Sequence, residues 1–302
     1  MLSVKIKDVM FKSPILTASG TFGYGNEIGS FIDIEKLGGV VTKSVTLHPR
    51  EGNPQPRIAE TESGMLNSIG LANLGVQGYC RDKLPYLNKL NTNFIINIAG
   101  YAIDDYVETL NVLESANGDQ VGYEINISCP NVKEGGMEFG VDPHMTEKLT
   151  NELRKYTDKL LIMKLSPNVT RIEDIAKAAE NGGADVVSAI NTLVGMGVNF
   201  KTRKPKINTI FGGLSGPAIK PVALANVYKI YKAISIPIIG IGGIQSSTDI
   251  IEFILAGADL IQIGTLNYKE PGIGIRLAAE LKEYLCNHNI DSIQSLKGQL
   301  NI

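Results

Sequence analysis

Short apolar runs rich in Val and Ile recur eight times along the chain, separated by segments of helical periodicity. Several are continuously apolar, which is typical of parallel strands covered on both faces. Eight such strands with intervening helices predict an α/β fold, a closed (β/α)8 TIM barrel. An open doubly wound sheet is disfavoured because the glycines of GTFGYG, after the first strand, lack the GxGxxG spacing. The predicted strands are Ile15–Ala18, Gly39–Thr42, Phe94–Ile98, Gly122–Ile127, Leu160–Leu165, Val186–Ile190, Pro237–Ile241 and Leu260–Ile263.

Two further short strands, Ser3–Ile6 and Asp8–Phe11, are predicted ahead of the barrel. Two connections, residues 44–93 and 191–235, are longer than ordinary loops. We expect both to be insertions over the C-terminal face of the barrel, so that residues 1–302 form a single domain. The predicted helices include Asp104–Ala116, Asp142–Leu160, Arg171–Asn181, Ala223–Ala233 and Ser247–Leu255.

Composition excludes several classes of function. A net charge of −2 without runs of like charge argues against a nucleic-acid groove or an anionic membrane surface. No apolar stretch approaches the roughly 20 residues that span a bilayer, and MLSVKIKDVMF does not resemble a signal peptide. Three dispersed cysteines are too few for a disulfide framework or an iron–sulfur cluster, and the three histidines lack metal-ligand spacing. We therefore expect a cytoplasmic protein without a metal site, in which any electron transfer requires an organic cofactor.

Polar residues and glycines follow nearly every predicted strand. The C-terminal strand ends of such barrels carry the active site, so these groups are expected to share one rim. A purely structural barrel has little reason to collect them there. The residues are Ser19, Lys43, Ser44, Asn97, Asn126, Lys164, Asn191, Thr192, Gly242, Gly243, Gly264 and Thr265.

The glycine pairs Gly242-Gly243 and Gly264-Thr265 follow the seventh and eighth strands, the usual phosphate site of this fold. Glycine lets backbone N–H groups approach phosphate oxygens, and a helix beginning near Ser246 adds the positive end of its dipole. Gly216 could complete such a site. Taken alone, each pair could equally serve only a tight turn.

Two lysines lie at strand ends, Lys164 within the apolar run LLIMKLS and Lys43 after GGVVT. A buried ammonium is costly unless paired, which favours an anionic or electron-rich ligand as its partner. The N1–C2=O edge of a flavin fits this description, Schiff-base chemistry is a second possibility, and a lysine that merely reaches solvent is a third.

Amides and one thiol complete the set. Asn67, with the strand-end asparagines, offers donors and acceptors suited to a planar ring carrying C=O and N–H groups, although any single Asn could be a turn residue. Cys129 follows the fourth strand and could act as a base or nucleophile if a nearby ammonium favours its thiolate. Residues 132–140 are interpreted as a lid or as a plain surface loop. Cys80 and Cys286 are expected to be inert.

The segment NISCPNVKEGGMEFG resembles the catalytic loop of class 1 dihydroorotate dehydrogenases, and VKEGGMEFG resembles the 1B subgroup in particular. The resemblance extends along nearly the whole chain, with nine further segments in the family's order. They are ASGTFGYG, TKSVTLHPREGNPQPR, GMLNSIGLAN, INIAG, IMKLSPN, INTLVGM, GGLSGPAIKP, GIGGI and QIGT.

The resemblance implies oxidation of dihydroorotate to orotate by bound FMN, with Cys129 as the base where class 2 relatives use serine. It implies FMN contacts from Ser19, Lys43, Ser44, Asn97, Asn126, Lys164, Ile190, Gly216, Gly242, Gly243, Gly264 and Thr265. It implies substrate contacts from Lys43, Asn67, Ser68, Ile69, Gly70, Leu71, Asn126, Asn191 and Thr192, with Lys43 also catalytic.

The 1B resemblance further implies a homodimer within a heterotetramer, in which a partner subunit carries FAD and a [2Fe–2S] cluster and passes electrons to NAD+. A class 1A homodimer that uses fumarate is the nearest competing interpretation. A different FMN barrel, such as a dihydrouridine synthase, is disfavoured by the net charge. A Schiff-base aldolase using Lys164 and a barrel kept only as a binding subunit are more distant interpretations.

Overall fold

The computed structural model describes residues 1–128 and 139–301. Cys129, the predicted base, and residues 132–138 of the predicted lid therefore lie outside the described residues. The described strands are β1 (Val4–Ile6), β2 (Val9–Phe11), β3 (Ile15–Thr17), β4 (Gly39–Val41), β5 (Ile58–Thr61), β6 (Gly64–Asn67), β7 (Phe94–Ile98), β8 (Gly122–Asn126), β9 (Leu160–Leu165), β10 (Val186–Ala189), β11 (Leu193–Met196), β12 (Val198–Asn199), β13 (Lys204–Pro205), β14 (Phe211–Ser215), β15 (Ile238–Ile241) and β16 (Leu260–Ile263).

Eight of these strands close into a parallel barrel in the order β3-β4-β7-β8-β9-β10-β15-β16. Every neighbouring pair is parallel, as the continuous apolar runs predict. Each residue of β9, including its lysine, is buried because side chains fill the barrel on one face and helices cover the other. The predicted barrel is confirmed, and its strands match the predicted bounds to within one residue at each end.

The N-terminal strands β1 and β2 form an antiparallel hairpin at the end of the barrel opposite the predicted site. Two contacts place it there. The Lys7 ammonium lies 2.5 Å from a carboxylate oxygen of Asp185, which precedes β10. The Asn93 side chain, just before β7, donates to the carbonyl of Met10 at 2.8 Å. The hairpin therefore covers the N-terminal strand ends and leaves the C-terminal mouth free for the inserted segments.

The described helices are α1 (Gly75–Asp82), α2 (Leu84–Leu87), α3 (Ile103–Ser115), α4 (Pro143–Arg154), α5 (Ile172–Asn181), α6 (Lys220–Tyr231), α7 (Ser247–Leu255) and α8 (Ile273–Asn287). All five predicted helices are present, but α4 ends six residues before the predicted end at Leu160. Its last residue, Arg154, pairs with Asp185 at 2.7 Å and donates to the carbonyls of Thr157 and Lys159, which fixes the turn into β9. Helical periodicity alone does not reveal this turn.

Both long insertions contribute to one antiparallel sheet of order β11-β14-β6-β5. Strands β5 and β6 belong to the first insertion, and β11 and β14 to the second. β11 begins directly after Asn191 and Thr192, which follow barrel strand β10, so the sheet adjoins the mouth of the barrel. The predicted placement of both insertions over the C-terminal face is confirmed, although their pairing into one sheet was not predicted.

Among the described residues, no helix is both long and apolar enough to cross a membrane. Cys80 is half-buried, Cys286 is exposed, and both are free.

Candidate active site at the C-terminal mouth of the barrel

The carboxylate of Glu124, on β8, lies at the centre of the barrel interior and is fully buried. Its oxygen Oε1 accepts from Asn97 Nδ2 at 2.7 Å and from Lys164 Nζ at 3.3 Å. Oε2 accepts from Ser188 Oγ at 3.0 Å and from Gln262 Nε2 at 2.6 Å. One carboxylate therefore joins β7, β9, β10 and β16 across the barrel. Glu124 is not among the site residues predicted from the sequence.

Lys164 and Glu124 form an ion pair whose side chains are 8% and 0% exposed. The sequence predicts a bound ligand as the partner of this buried ammonium. The structure instead supplies a carboxylate of the protein, so burial of Lys164 does not by itself require a ligand. A contact between Lys164 and a flavin remains a prediction. Lys164 pairs in register with Asn126, the last residue of β8, which places it at the inner edge of the mouth.

The predicted substrate amides form a connected set across the mouth. Asn191 Nδ2 donates to Asn126 Oδ1 at 3.1 Å, and Asn191 Oδ1 accepts a hydrogen bond from the backbone N–H of Thr192 at 2.8 Å. Gly213 of β14 lies against the Thr192 hydroxyl, because a Cβ there would come within 2.1 Å of Oγ1. Asn67 Nδ2 donates to the Gly213 carbonyl at 3.3 Å. The insertion sheet thereby brings Asn67 to the same rim as the barrel residues.

The predicted substrate segment Ser68–Leu71 follows β6 and is half-buried throughout. Asn53 holds it: its backbone N–H donates to Ile69 O at 3.0 Å, and its side chain donates to Ser68 Oγ at 2.8 Å. Gly70 has φ of +76°, and a Cβ there would lie 2.6 Å from Asn53, so this position favours glycine. Asn53 is a supporting residue that is not among those predicted from the sequence.

Lys43 lies just beyond β4, and no described residue forms a hydrogen bond or ion pair with its ammonium. Burial lowers the pKa of this half-buried ammonium; Glu27 opposes the shift and Arg57 adds to it. A desolvated cation at a rim lined by amides is suited to binding an anion. The neighbouring Ser44 hydroxyl donates to Asn97 Oδ1 at 2.5 Å, which links this strand end to the network around Glu124.

The predicted phosphate-binding glycines also lie together. A Cβ at Gly243 would lie 3.0 Å from Gly216 O, and the Thr265 hydroxyl donates to Ser215 Oγ at 2.9 Å. Helix α7 begins nearby, with Ser246 and Asp249 forming a capping box. Within residues 1–128 and 139–301, no group accepts a hydrogen bond from the backbone N–H of Gly242, Gly243, Gly264 or Thr265. Unpaired N–H groups at glycine turns beside a helix N-terminus have the chemistry that a phosphate requires.

We call the cluster of Gly216, Gly242, Gly243, Gly264 and Thr265 the phosphate cradle. Two further predicted FMN residues border it. Ser19 follows Ala18, whose methyl group would be 3.5 Å from a Cβ at Gly264. Ile190 is buried, and its N–H donates to Ile241 O, directly before Gly242. Of the predicted site residues, the structure therefore gathers all but Cys129 around one mouth, and Cys129 lies outside the described residues. No group of three or more described His, Cys, Asp or Glu residues could hold a metal ion.

Comparisons with known proteins show the family to which the chain belongs. A sequence model described as dihydroorotate dehydrogenase matches residues 1–285. A protein of Geobacter sp. (strain M21), named dihydroorotate dehydrogenase B (NAD(+)), catalytic subunit, is 46% identical over 301 residues, covering 100% of this chain and 98% of that protein. A Bacteroides thetaiotaomicron protein of the same name is 48% identical over 302 residues, covering 100% and 99%.

The fold also resembles a solved structure, the Eimeria tenella dihydroorotate dehydrogenase in complex with ferulenol. The TM-score is 0.80 at 23% sequence identity, over 99% of this chain and 88% of that one. At this identity the similarity supports the barrel architecture alone. The family match over most of the chain, with full-length relatives well above 30% identity, shows that the chain belongs to the dihydroorotate dehydrogenase family.

Proposed function

We propose that this protein is an FMN-dependent oxidoreductase that converts dihydroorotate to orotate in pyrimidine biosynthesis, as a single FMN-binding barrel domain over residues 1–302. Three features of the described residues converge on one rim and carry the proposal: an ammonium without a partner, a chain of amides and a cradle of unpaired N–H groups. Each of the three suits a different part of a flavin stacked on a small planar acid.

The described residues fit FMN. Gly216, Gly242, Gly243, Gly264 and Thr265 would hold its phosphate through backbone N–H groups and one hydroxyl. Side chains and backbone along the inner rim would hold the ring and ribityl chain, and FMN itself would supply the hydride acceptor. The rim residues proposed for this role are Ser19, Lys43, Ser44, Asn97, Asn126, Lys164 and Ile190.

The substrate would be held by groups complementary to its own. The Lys43 ammonium would pair with the carboxylate, and the amides of Asn67, Asn126 and Asn191 would bond the C=O and N–H edges of the ring. The backbone of Ser68–Leu71 and the hydroxyl of Thr192 would close the remaining side. Because Asn53 and the insertion sheet already fix these groups, little ordering is needed on binding.

The reaction removes one proton from C5 and one hydride from C6, which leaves the C5=C6 double bond of orotate. We assign the proton to the Cys129 thiolate, on the evidence of the sequence resemblance alone. The thiol returns this proton to solvent. Overall, dihydroorotate and NAD+ become orotate, NADH and one proton.

Replacing Gly264 with alanine should weaken FMN binding about tenfold or more, roughly 1.4 kcal/mol, by placing a methyl group where phosphate meets the backbone. In the protein itself a Cβ there meets nothing closer than 3.5 Å, so the added methyl group does not clash with neighbouring side chains. Gly272→Ala is the matched control, because its Cβ would meet only Ile32, at 3.6 Å, and no phosphate contact is proposed for it. FMN titration of the three apoproteins is the measurement. Equal affinities would contradict the phosphate assignment.

Orotate binding should weaken as pH rises towards the lowered pKa of Lys43. The bound anion stabilises the charged ammonium, so above the pKa of the free protein binding must take up a proton, and affinity falls by up to tenfold per pH unit. Lys43→Arg is the control, because its guanidinium stays protonated and removes this part of the pH dependence. Calorimetric titration at several pH values measures it. If orotate affinity depended on pH in the same way in the wild type and in Lys43→Arg, the pairing of Lys43 with the substrate carboxylate would be refuted.

We further propose that the chain acts in the cytoplasm as a homodimer within a heterotetramer, whose partner subunit carries FAD and a [2Fe–2S] cluster and reduces NAD+. Both relatives described above are named as an NAD(+) catalytic subunit, which supports a partner subunit. Exposed apolar side chains on the insertion sheet and on the β12-β13 hairpin support an assembly surface. They are Val194, Met196, Phe200 and Phe211.

Affinity purification from the native host tests both the function and the partner. We expect an iron–sulfur flavoprotein to copurify and the complex to reduce NAD+ when dihydroorotate is added. Purified protein that oxidises dihydroorotate with fumarate and without a partner would instead support the class 1A interpretation. Absence of dihydroorotate oxidation with any acceptor would refute the function.

A further inference from the structure

The Glu124 carboxylate is enclosed on every side by groups that donate to it. Its side chain has no solvent exposure, and its four hydrogen bonds occupy both oxygens. A buried carboxylate keeps its charge only when such donors replace its hydration. The number and geometry of the donors indicate that the site is built to hold an ionised carboxylate at this position.

Only one of the four donors carries charge. Asn97, Ser188 and Gln262 are neutral, whereas Lys164 contributes a full positive charge at 3.3 Å. The pair is therefore neutral overall, although each group alone would produce a strong field in a poorly solvated interior. Lys164 retains 8% exposure and lies in register with Asn126 at the mouth, whereas Glu124 lies two residues deeper on β8. The positive member of the pair is thus nearer to a ligand in the mouth.

We propose that Glu124 is a positioning residue that lowers the reduction potential of the flavin by neutralising the field of Lys164, an inference that rests on the proposed function. Reduction adds negative charge to the N1–C2=O edge of a flavin, and an unopposed ammonium at that edge would favour it strongly. With Glu124 in place, Lys164 can still donate a hydrogen bond, but its net electrostatic pull is reduced.

This arrangement suits electron transfer to a nicotinamide acceptor. NAD+ is a weak oxidant, so a catalytic flavin that becomes too easily reduced would retain its two electrons. An acceptor of higher potential, such as fumarate, places no such demand on the flavin. The carboxylate beneath Lys164 therefore matches the NAD+-linked branch of the proposed function.

Spectroelectrochemical titration of the purified FMN-loaded protein tests the proposal. Glu124→Gln preserves shape and removes the charge. The new amide nitrogen can face Gln262, whose buried Oε1 has no hydrogen-bond partner among the described residues and can accept it if that side chain flips. We expect the equilibrium between oxidised and reduced flavin to shift at least tenfold towards the reduced form, a rise of about 30 mV or more for a two-electron couple.

Ser188→Ala is the matched control, because it removes a neutral donor from the same carboxylate and leaves both charges in place. A structural role for the network predicts similar shifts in both variants, whereas the proposal predicts a rise only in Glu124→Gln. If Glu124→Gln does not fold, Glu124→Asp is used instead. Its shorter side chain withdraws the carboxylate from Lys164, so we expect a smaller rise in the reduction potential.

Two results would overturn the proposal, and they differ. If the reduction potential of Glu124→Gln is equal to or below that of the wild type, with flavin bound in both proteins, the role of Glu124 is refuted. The proposed function is not affected by that result. A wild-type protein that binds no FMN would refute the proposed function, and this inference with it.

Discussion

Cys129→Ala should lower kcat for dihydroorotate oxidation by about 10²–10⁴-fold, the contribution of a positioned general base. FMN content and orotate affinity should stay close to wild type, because other residues are proposed to bind FMN and orotate. Stopped-flow measurement of flavin reduction by dihydroorotate isolates the step in which the base acts. A rate within threefold of wild type would refute Cys129 as the base.

The pH dependence distinguishes a base from a residue that only packs. An unperturbed thiol has a pKa of about 8.5, so wild-type flavin reduction should accelerate with pH through the mildly alkaline range. Cys129→Ser should abolish that dependence, because a serine hydroxyl does not ionise there. Cys80→Ser and Cys286→Ser are the controls, since both thiols are free and burial raises the pKa of Cys80. A pH–rate profile unchanged by Cys129→Ser would contradict the assignment.

Lys164→Met should destabilise the protein by about 3–5 kcal/mol, because it leaves the Glu124 carboxylate buried without its cation. Adding Glu124→Gln should recover most of this loss, since a neutral amide no longer needs a counter-charge. Flavin reduction should not recover in the double variant, because the ammonium proposed to face the flavin remains absent. Chemical denaturation and stopped-flow reduction, applied to the four proteins of this double-mutant cycle, separate the two roles of Lys164.

Lys159→Met is the matched control for this cycle. Lys159 lies just before the same strand and pairs with Glu114 at 3.0 Å, but both side chains are partly exposed. Its loss should therefore cost less than about 1 kcal/mol. If Lys164→Met cost no more than Lys159→Met, the central ion pair would not be important for stability.

Local patterns predicted the barrel well, because its strands are short, continuously apolar and bounded by helices. They did not predict that β6 and β14 pair, since residues such as Asn67 and Gly213 are far apart in the chain. Local patterns also do not predict the end of α4, because the contacts of Arg154 with Asp185 and two carbonyls fix it. Such boundaries depend on tertiary contacts that no single segment contains.

The candidate site shows the same division. Lys164 is predicted from its charge within an apolar strand, and Glu124 carries the same signal, because it lies in GYEIN, two residues before Asn126. Residues two apart in a strand share a face, so Glu124 could have been assigned to the barrel interior with Asn126. Its pairing with Lys164 could not, because that depends on the register of β8 and β9. Asn53, which holds the substrate segment, carried no local signal.

An anaerobic visible spectrum of the purified wild-type protein, recorded before and after dihydroorotate is added, tests whether the barrel mouth binds FMN and oxidises this substrate. We expect one FMN per chain, with its visible absorbance lost on addition of the substrate and orotate formed in equal amount. Protein purified without flavin, or a flavin spectrum unchanged by dihydroorotate, would contradict the proposed function.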